Sequence, residues 1–411
     1  MAPRKIANDP FKKFWKSKFV KVEETTDSTL AYSALTNAVH PVFGPTQWTN
    51  LPVGGWDVVE QSCKLASLFF QSAALRPFWA TLICYSDPET ASDQKKQFSL
   101  AAFGGIDATQ QAQIDEVLNE DLPTHLKFKI DEKTLIGAHC QENGTSMCCG
   151  YHTQAEGRNS NVFVAKSTYQ ALQKAQSPEA TDIVELTWLR FHLAVNMVHE
   201  VAHALRNATD ASEEEEPFFG DAIISEIGFE LEKCLFGGPI MAIWADEDNK
   251  YSKHDGTKSN LMGLVVQFEW PYQQLVTEYD LEYRTMGKRR DPRDVRELDL
   301  AWRISITLFA KFFSDAFWQS VDQEDMEAFH PPHTCGYTFR VDDKAYFEPV
   351  CRADDEAPYL GMTHHRDADG VILPGQAAGP ARPALSRRVF GGRITKPGKE
   401  GTRRSTRNKS A

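Results

Sequence analysis

Long uninterrupted hydrophobic runs are missing from this 411-residue chain. The most apolar stretch, Leu65–Tyr85, is broken by Gln71, Arg76 and Pro77, whereas a membrane span needs about 20 apolar residues in a row. The opening MAPRKIANDPFKKFWKSKF is basic and aromatic but has no apolar h-region, so it does not read as a secretory signal. Without such a leader, the eight cysteines are expected to be reduced thiols of an intracellular protein, cytoplasmic or nuclear, and not a disulfide framework. The C-x-x-C spacing of structural zinc sites is absent as well. The cluster His139, Cys140, Cys148, Cys149 and His152 is therefore not assigned a metal, since adjacent Cys148 and Cys149 do not easily face one ion. Cys84 and Cys234 read as small core residues. No internal repeat is visible.

What is present is a folded composition: 41% hydrophobic residues and nine tryptophans, with length enough for one large or two to three modest domains. Charge is distributed unevenly. Residues 382–411 hold ten Lys or Arg and one acid, Glu400, so of the formal −12 the tail contributes +9 and the remainder −21. Residues 1–20 are expected to be a flexible basic arm. From about Asp354 onward Gly, Pro, Ala, Ser and Arg dominate, and 354–411 is expected to be a disordered basic tail. Such a tail is read first as solvated. The alternatives are nucleic-acid binding, a nuclear address, or folding back on the acidic body.

Thr181–Arg206 (TDIVELTWLRFHLAVNMVHEVAHALR) holds neither Gly nor Pro. Thr181 and Asp182 supply capping chemistry, and Arg206 sits at the basic end. Ile183, Leu186, Leu189, Leu193, Met197 and Ala204 recur at helical spacing and the other faces are also mostly apolar, which predicts a buried helix. Near its end stands His199-Glu200-Val201-Ala202-His203. Residues four apart share a helical face, so both imidazoles can reach one metal ion. Glu200 falls about a quarter-turn away, placed to take a proton from an activated water. Two histidines and a glutamate in a buried helix are costly unless paired or metal-bound. His192, two turns before His199, lies too far along the axis to share the ion and reads as a satisfied core or supporting histidine.

The third ligand separates the classes that use this motif. Metzincins need Gly and then His three and six residues after the second histidine; here Arg206 and Thr209 stand there, and no histidine follows until His254. Instead comes an acidic run, Asp210–Glu216, and then a second expected helix, Gly220–Phe236, stopped by Gly237-Gly238-Pro239. Glu226 and Glu230 are four apart on it, while Glu232 falls on another face and reads as solvated. In these two segments the chain resembles the gluzincin metallopeptidases, over about residues 134–236. The resemblance implies that Glu226 completes the metal site with His199 and His203, and that Glu230 hydrogen-bonds a ligand histidine.

Thr134–His139 and Asn161–Ala165 read as short strands. By analogy with zincins, Asn161–Ala165 is the candidate edge strand for binding extended peptide. Val59–Leu75 reads as a core helix followed by a strand at Trp79–Tyr85. Ser259–Trp270 and Arg293–Ser320 read as further helical segments. His333, Tyr337, Tyr272 and Tyr283 are candidates for stabilising an oxyanion. The expectation is thus an α+β fold with a zincin-like domain over 21–353 and a mostly helical C-terminal part. One Zn2+ per chain would be held by His199, His203 and Glu226, with water in the fourth position. Glu200 would be general base in hydrolysis of a peptide or protein substrate, without membrane involvement. The rivals are a non-catalytic zinc-binding interaction protein contacting an acidic partner or nucleic acid through its tail, and a metal-free protein with a chance motif.

Overall fold

In the computed structural model the described residues are 33–86, 89–91, 95–134, 138–146, 157–177, 183–209, 216–220, 222, 225–242, 265–268, 299–304, 306–321, 328–331, 336–340, 346–349, 365–366 and 372–373. Helices and strands mix in an α+β arrangement. The first half carries α1 (Gly55–Gln71), α2 (Arg76–Cys84), α3 (Ala108–Glu116) and α4 (Leu122–His125), with β1 (Glu89–Thr90) and β2 (Lys96–Phe98) between α2 and α3. Then follow β3 (Leu126–Asp131), β4 (Ala138–Ser146), β5 (Gly157–Ala165), α5 (Lys166–Ala175) and α6 (Ile183–Thr209). Next come β6 (Phe218–Phe219), α7 (Ile227–Phe236), β7 (Ile240–Ala242), β8 (Val265–Phe268), β9 (Asp299–Ile304), α8 (Ile306–Phe312) and α9 (Asp315–Ser320). Strands β10 (Gly336–Arg340), β11 (Tyr346–Pro349), β12 (His365–Arg366) and β13 (Ile372–Leu373) complete the order.

Helix α6 is the 27-residue axis of the molecule, uninterrupted because no Gly or Pro falls within it. It is buried over most of its surface and packs on the β3–β5–β4 sheet, on α1 and on α7, while His192, Asn196, His199, His203 and Asn207 form one half-buried polar stripe along it. An aromatic cluster locks these neighbours. Phe191 of α6 stacks on Phe312 of α8 at 5.9 Å and meets Phe236 of α7 at 5.6 Å. Phe69 of α1 stands edge-on to Phe236 at 5.3 Å. Contacts of this kind contribute about 0.5–1.5 kcal/mol each beyond the area they bury, so α6 and α7 are held in fixed relation. His192 behaves as a core histidine, stacked on Trp188 at 5.2 Å, with burial pushing its pKa down to about 4. Cys84 and Cys234 are partly buried against the core.

Several expectations change with tertiary context. Trp79–Tyr85 lies in α2, not a strand: Pro77 sits at the start of a helix, where its missing N–H is harmless. Val265–Phe268 and Asp299–Ile304 are strands, whereas the later part of Arg293–Ser320 is helical in α8 and α9; among the described residues the C-terminal part holds more strand than helix, in a five-stranded antiparallel sheet, β11-β10-β9-β8-β7. Short apolar runs have no periodicity long enough to separate helix from strand. Of the expected tail 354–411, the described residues are His365–Arg366 and Ile372–Leu373, paired as β12 and β13, and the rest lies outside the described residues. Asn161–Ala165 is not an edge. It belongs to β5, the middle strand, parallel to β3 through Asn161↔Lys127 and antiparallel to β4 through Asn161↔Gln141, so both of its backbone edges are taken. Among the described residues no helix is long and apolar enough to cross a membrane.

Candidate metal centre

His199 and His203 stand one turn apart on α6, their ring centroids 5.3 Å apart. The third residue is placed by a change of backbone. The helix expected over Gly220–Phe236 begins only at Ile227: Phe218–Phe219 pair with β2, Gly220 turns at φ +58°, and Glu226 is the extended N-cap of α7 at φ −149°. Glu226 Oε2 accepts the Phe229 backbone N–H at 2.6 Å, satisfying one of the unpaired donors of the first turn. Its Oε1 is thereby aimed at the imidazoles, 2.7 Å from His203 Nε2 and 3.3 Å from His199 Nε2. The helix end stops as read from the sequence, with Gly237 in the left-handed region (φ +78°) donating to the Lys233 carbonyl at 2.8 Å.

The remaining ring nitrogens face carboxylates. His199 Nδ1–H donates to Glu232 Oε1 at 2.8 Å, and His203 Nδ1 lies 3.2 Å from Glu216 Oε1. Carboxylates on Nδ1 fix each ring's orientation and leave Nε2 as the metal-facing atom, the arrangement that backs histidines in metal sites. The role expected of Glu230 thus falls to Glu232. Glu232 is buried instead of solvated, whereas Glu230 Oε2 accepts from Lys233 Nζ at 3.4 Å. The later helix start is the cause, because an extended Glu226 breaks the count of four that paired it with Glu230. Glu200 is buried, one residue and about 100° around the helix from His199.

Two residues shape the approach of the helices. Gly228, in the first turn of α7, lies against the His199 ring: a Cβ there would sit 2.3 Å from Cδ2 and Nε2 and 2.5 Å from Cε1. Phe229 meets the same ring edge-on at 4.9 Å.

The charges fit a cation. Burial works against charge on His199, yet Glu226, Glu232 and Glu200 outweigh it and push its pKa up to about 10. His203 is raised well above its ordinary value against the same burial, by Glu216 and Glu226. Burial opposes ionisation of Glu226 too, but the two imidazolium charges hold its carboxyl well below the usual range. Burial raises Glu232. The carboxylates therefore favour positive charge at the two imidazoles, the sign of charge that a metal ion carries. The donor atoms of His199, His203 and Glu226 lie within 4.8 Å of one another, and the 3.3 Å between His199 Nε2 and Glu226 Oε1 matches the ~3.3 Å that two ligands span at the tetrahedral angle about zinc. Two imidazoles and a carboxylate are donors zinc accepts. These three residues could hold a metal ion.

Sequence reasoning brought His199, Glu200, His203 and Glu226 together and missed Glu216, Glu232 and Gly228. Nothing in the run Glu213–Glu216 marks its last member. Gly228 did carry a signal, because a glycine inside a helix sacrifices about 1 kcal/mol relative to alanine and so points to a close approach. Tyr337 lies on β10, while His333, Tyr272 and Tyr283 lie outside the described residues, as do Cys148, Cys149 and His152. No protein-family model, no curated protein and no solved structure matches this chain.

Proposed function

We propose that this protein is a zinc-dependent metallopeptidase with a zincin-type catalytic domain. The observation that carries the reading is the convergence of His199 Nε2, His203 Nε2 and Glu226 Oε1, with a carboxylate behind each ring and Glu200 beside them on the same helix. Zinc held by these three residues would supply Lewis acidity and acidify a water there. Glu200 would act as the general base beside it and then as proton donor to the leaving amine. Its burial keeps competing solvent away from the carboxylate. Glu232 holds the His199 imidazole in one tautomer and orientation by a hydrogen bond, and Glu216 faces His203 Nδ1 at ion-pair distance. An extended peptide finds no opening on β5; among the described residues β4 pairs on one side only, and its outer edge is where a substrate strand would add.

The test is metal content and hydrolysis together. Purified protein should carry about one zinc per chain, and His203→Ala should lose most of it. Glu200→Gln should keep zinc and fold while peptide hydrolysis falls about 10²–10⁴-fold, the contribution of a general base. Full zinc retention in both His199→Ala and His203→Ala overturns the site. A zinc-loaded wild type inactive across a peptide library overturns the enzyme reading and favours a zinc-binding interaction protein.

A further inference from the structure

The two histidines are held differently. Glu232, behind His199, stands on α7, a regular helix anchored in the aromatic core through Phe236. Glu216, behind His203, stands on irregular backbone leading into β6, and its carboxylate is only as well placed as that segment. The Oε1 atom of Glu216 is buried and lies 3.2 Å from His203 Nδ1, at ion-pair distance without the angle of a good hydrogen bond. Small displacements of the segment therefore translate directly into the orientation of the His203 ring.

What fixes the segment is apolar. Phe218 and Phe219 pair in parallel with Gln97 and Phe98 of β2. The Phe219 ring stacks on Phe78 at 5.0 Å and meets Phe103 edge-on at 6.0 Å. Gly220 turns the chain at φ +58° with Leu100 over its Cα, where a Cβ would lie 2.4 Å from Leu100 Cδ1. Leu100 and Phe103 are among the few large exposed apolar side chains, at 39% and 37%. The anchor of a buried ligand thus ends at the surface.

We propose that Glu216 is the positioning residue of His203, and that the Phe103–Phe219 contact sets where it stands, so that metal affinity is coupled to an exposed aromatic side chain. The inference rests on the reading of His199, His203 and Glu226 as a metal site. Coupling of this kind has a signature that general loosening of the fold lacks. Weakening the anchor lowers metal affinity only while Glu216 is there to be misplaced.

A double-mutant cycle on the full chain, read as zinc affinity in competition with a chromophoric chelator, tests it. Glu216→Ala should lower affinity about 10–100-fold, as loss of a ligand's hydrogen-bonded partner does. Glu216→Gln, which keeps an acceptor at the same reach, should recover part of that loss. Phe103→Ala should lower affinity about 2- to 10-fold, the factor an aromatic edge contact is worth. In the Glu216→Ala background it should do nothing further. Wild-type zinc affinity in Glu216→Ala, or effects of the two changes that multiply as independent losses, overturns the inference while leaving the metal site standing. A wild type that takes up no zinc overturns both.

Discussion

Replacing Gly228 by alanine sets two physical effects against each other. Gly228 lies in the first turn of α7, inside the helix, and has helical backbone rather than a positive φ, so alanine should help the helix by about 0.8–1 kcal/mol. The added methyl, however, would sit 2.3 Å from His199 Cδ2 and Nε2. Ordinary carbon contacts are about 3.5–4.0 Å, so the ring and the helix must separate by roughly 1.2–1.7 Å. His199 cannot yield easily, because Phe229 lies against its ring and Glu232 holds Nδ1 at 2.8 Å. Functional sites tolerate displacements of about 0.5 Å, and a separation twice that size removes His199 Nε2 from a shared ion. The expected result is a fall in zinc affinity of at least about 100-fold, beyond the 10–100-fold of an outer partner. Metal-free stability should change by less than about 2 kcal/mol, because overpacking of about 1–3 kcal/mol is offset by helix propensity. Chelator competition measures the first and thermal unfolding of the metal-free protein the second. A Gly228→Ala variant that folds and binds zinc as tightly as wild type refutes the close approach of α7 to His199.

Glu232→Gln should weaken zinc binding about 10–100-fold while Glu230→Gln leaves it nearly unchanged, since only Glu232 faces His199 Nδ1 at 2.8 Å; the reverse order in a side-by-side titration would restore the original assignment of Glu230. The metal-free protein should also show a defined pH profile. Raised folded-state pKa values on His199 and His203 contribute stability that is fully present below the unfolded histidine value of 6.5 and is lost as pH rises through about 10 for His199. Glu226, whose folded value is lowered, contributes stability present above 4.5 and lost as acid protonates it. Metal-free melting temperature should therefore fall between about pH 6.5 and 10 in wild type and much less in Glu226→Gln, and equal slopes in the two proteins would exclude the proposed charge pairing.

The sequence by itself determined the features governed by local periodicity. A 27-residue run without Gly or Pro, apolar on most of its surface, specifies α6. The 3.6-residue repeat then places His199 and His203 on one face, with Glu200 beside them. Gly237 ended α7 as its freedom at positive φ allows. Glu226 was reached through the resemblance of its segment to the gluzincin arrangement, and its part as N-cap was not legible. Tertiary structure decided whatever depends on partners remote in sequence. Strand β5 is central because β3 and β4 close on both of its edges, a pairing that alternation of side chains does not encode. Val265–Phe268 is a strand because neighbours complete its hydrogen bonds, not because its three apolar residues demand it. The choice of Glu232 over Glu230 depended on where one helix begins, and the choice of Glu216 among four consecutive glutamates on how Phe219 packs. Local periodicity fixes which faces a helix offers. Only the packing of distant segments fixes which carboxylate arrives there.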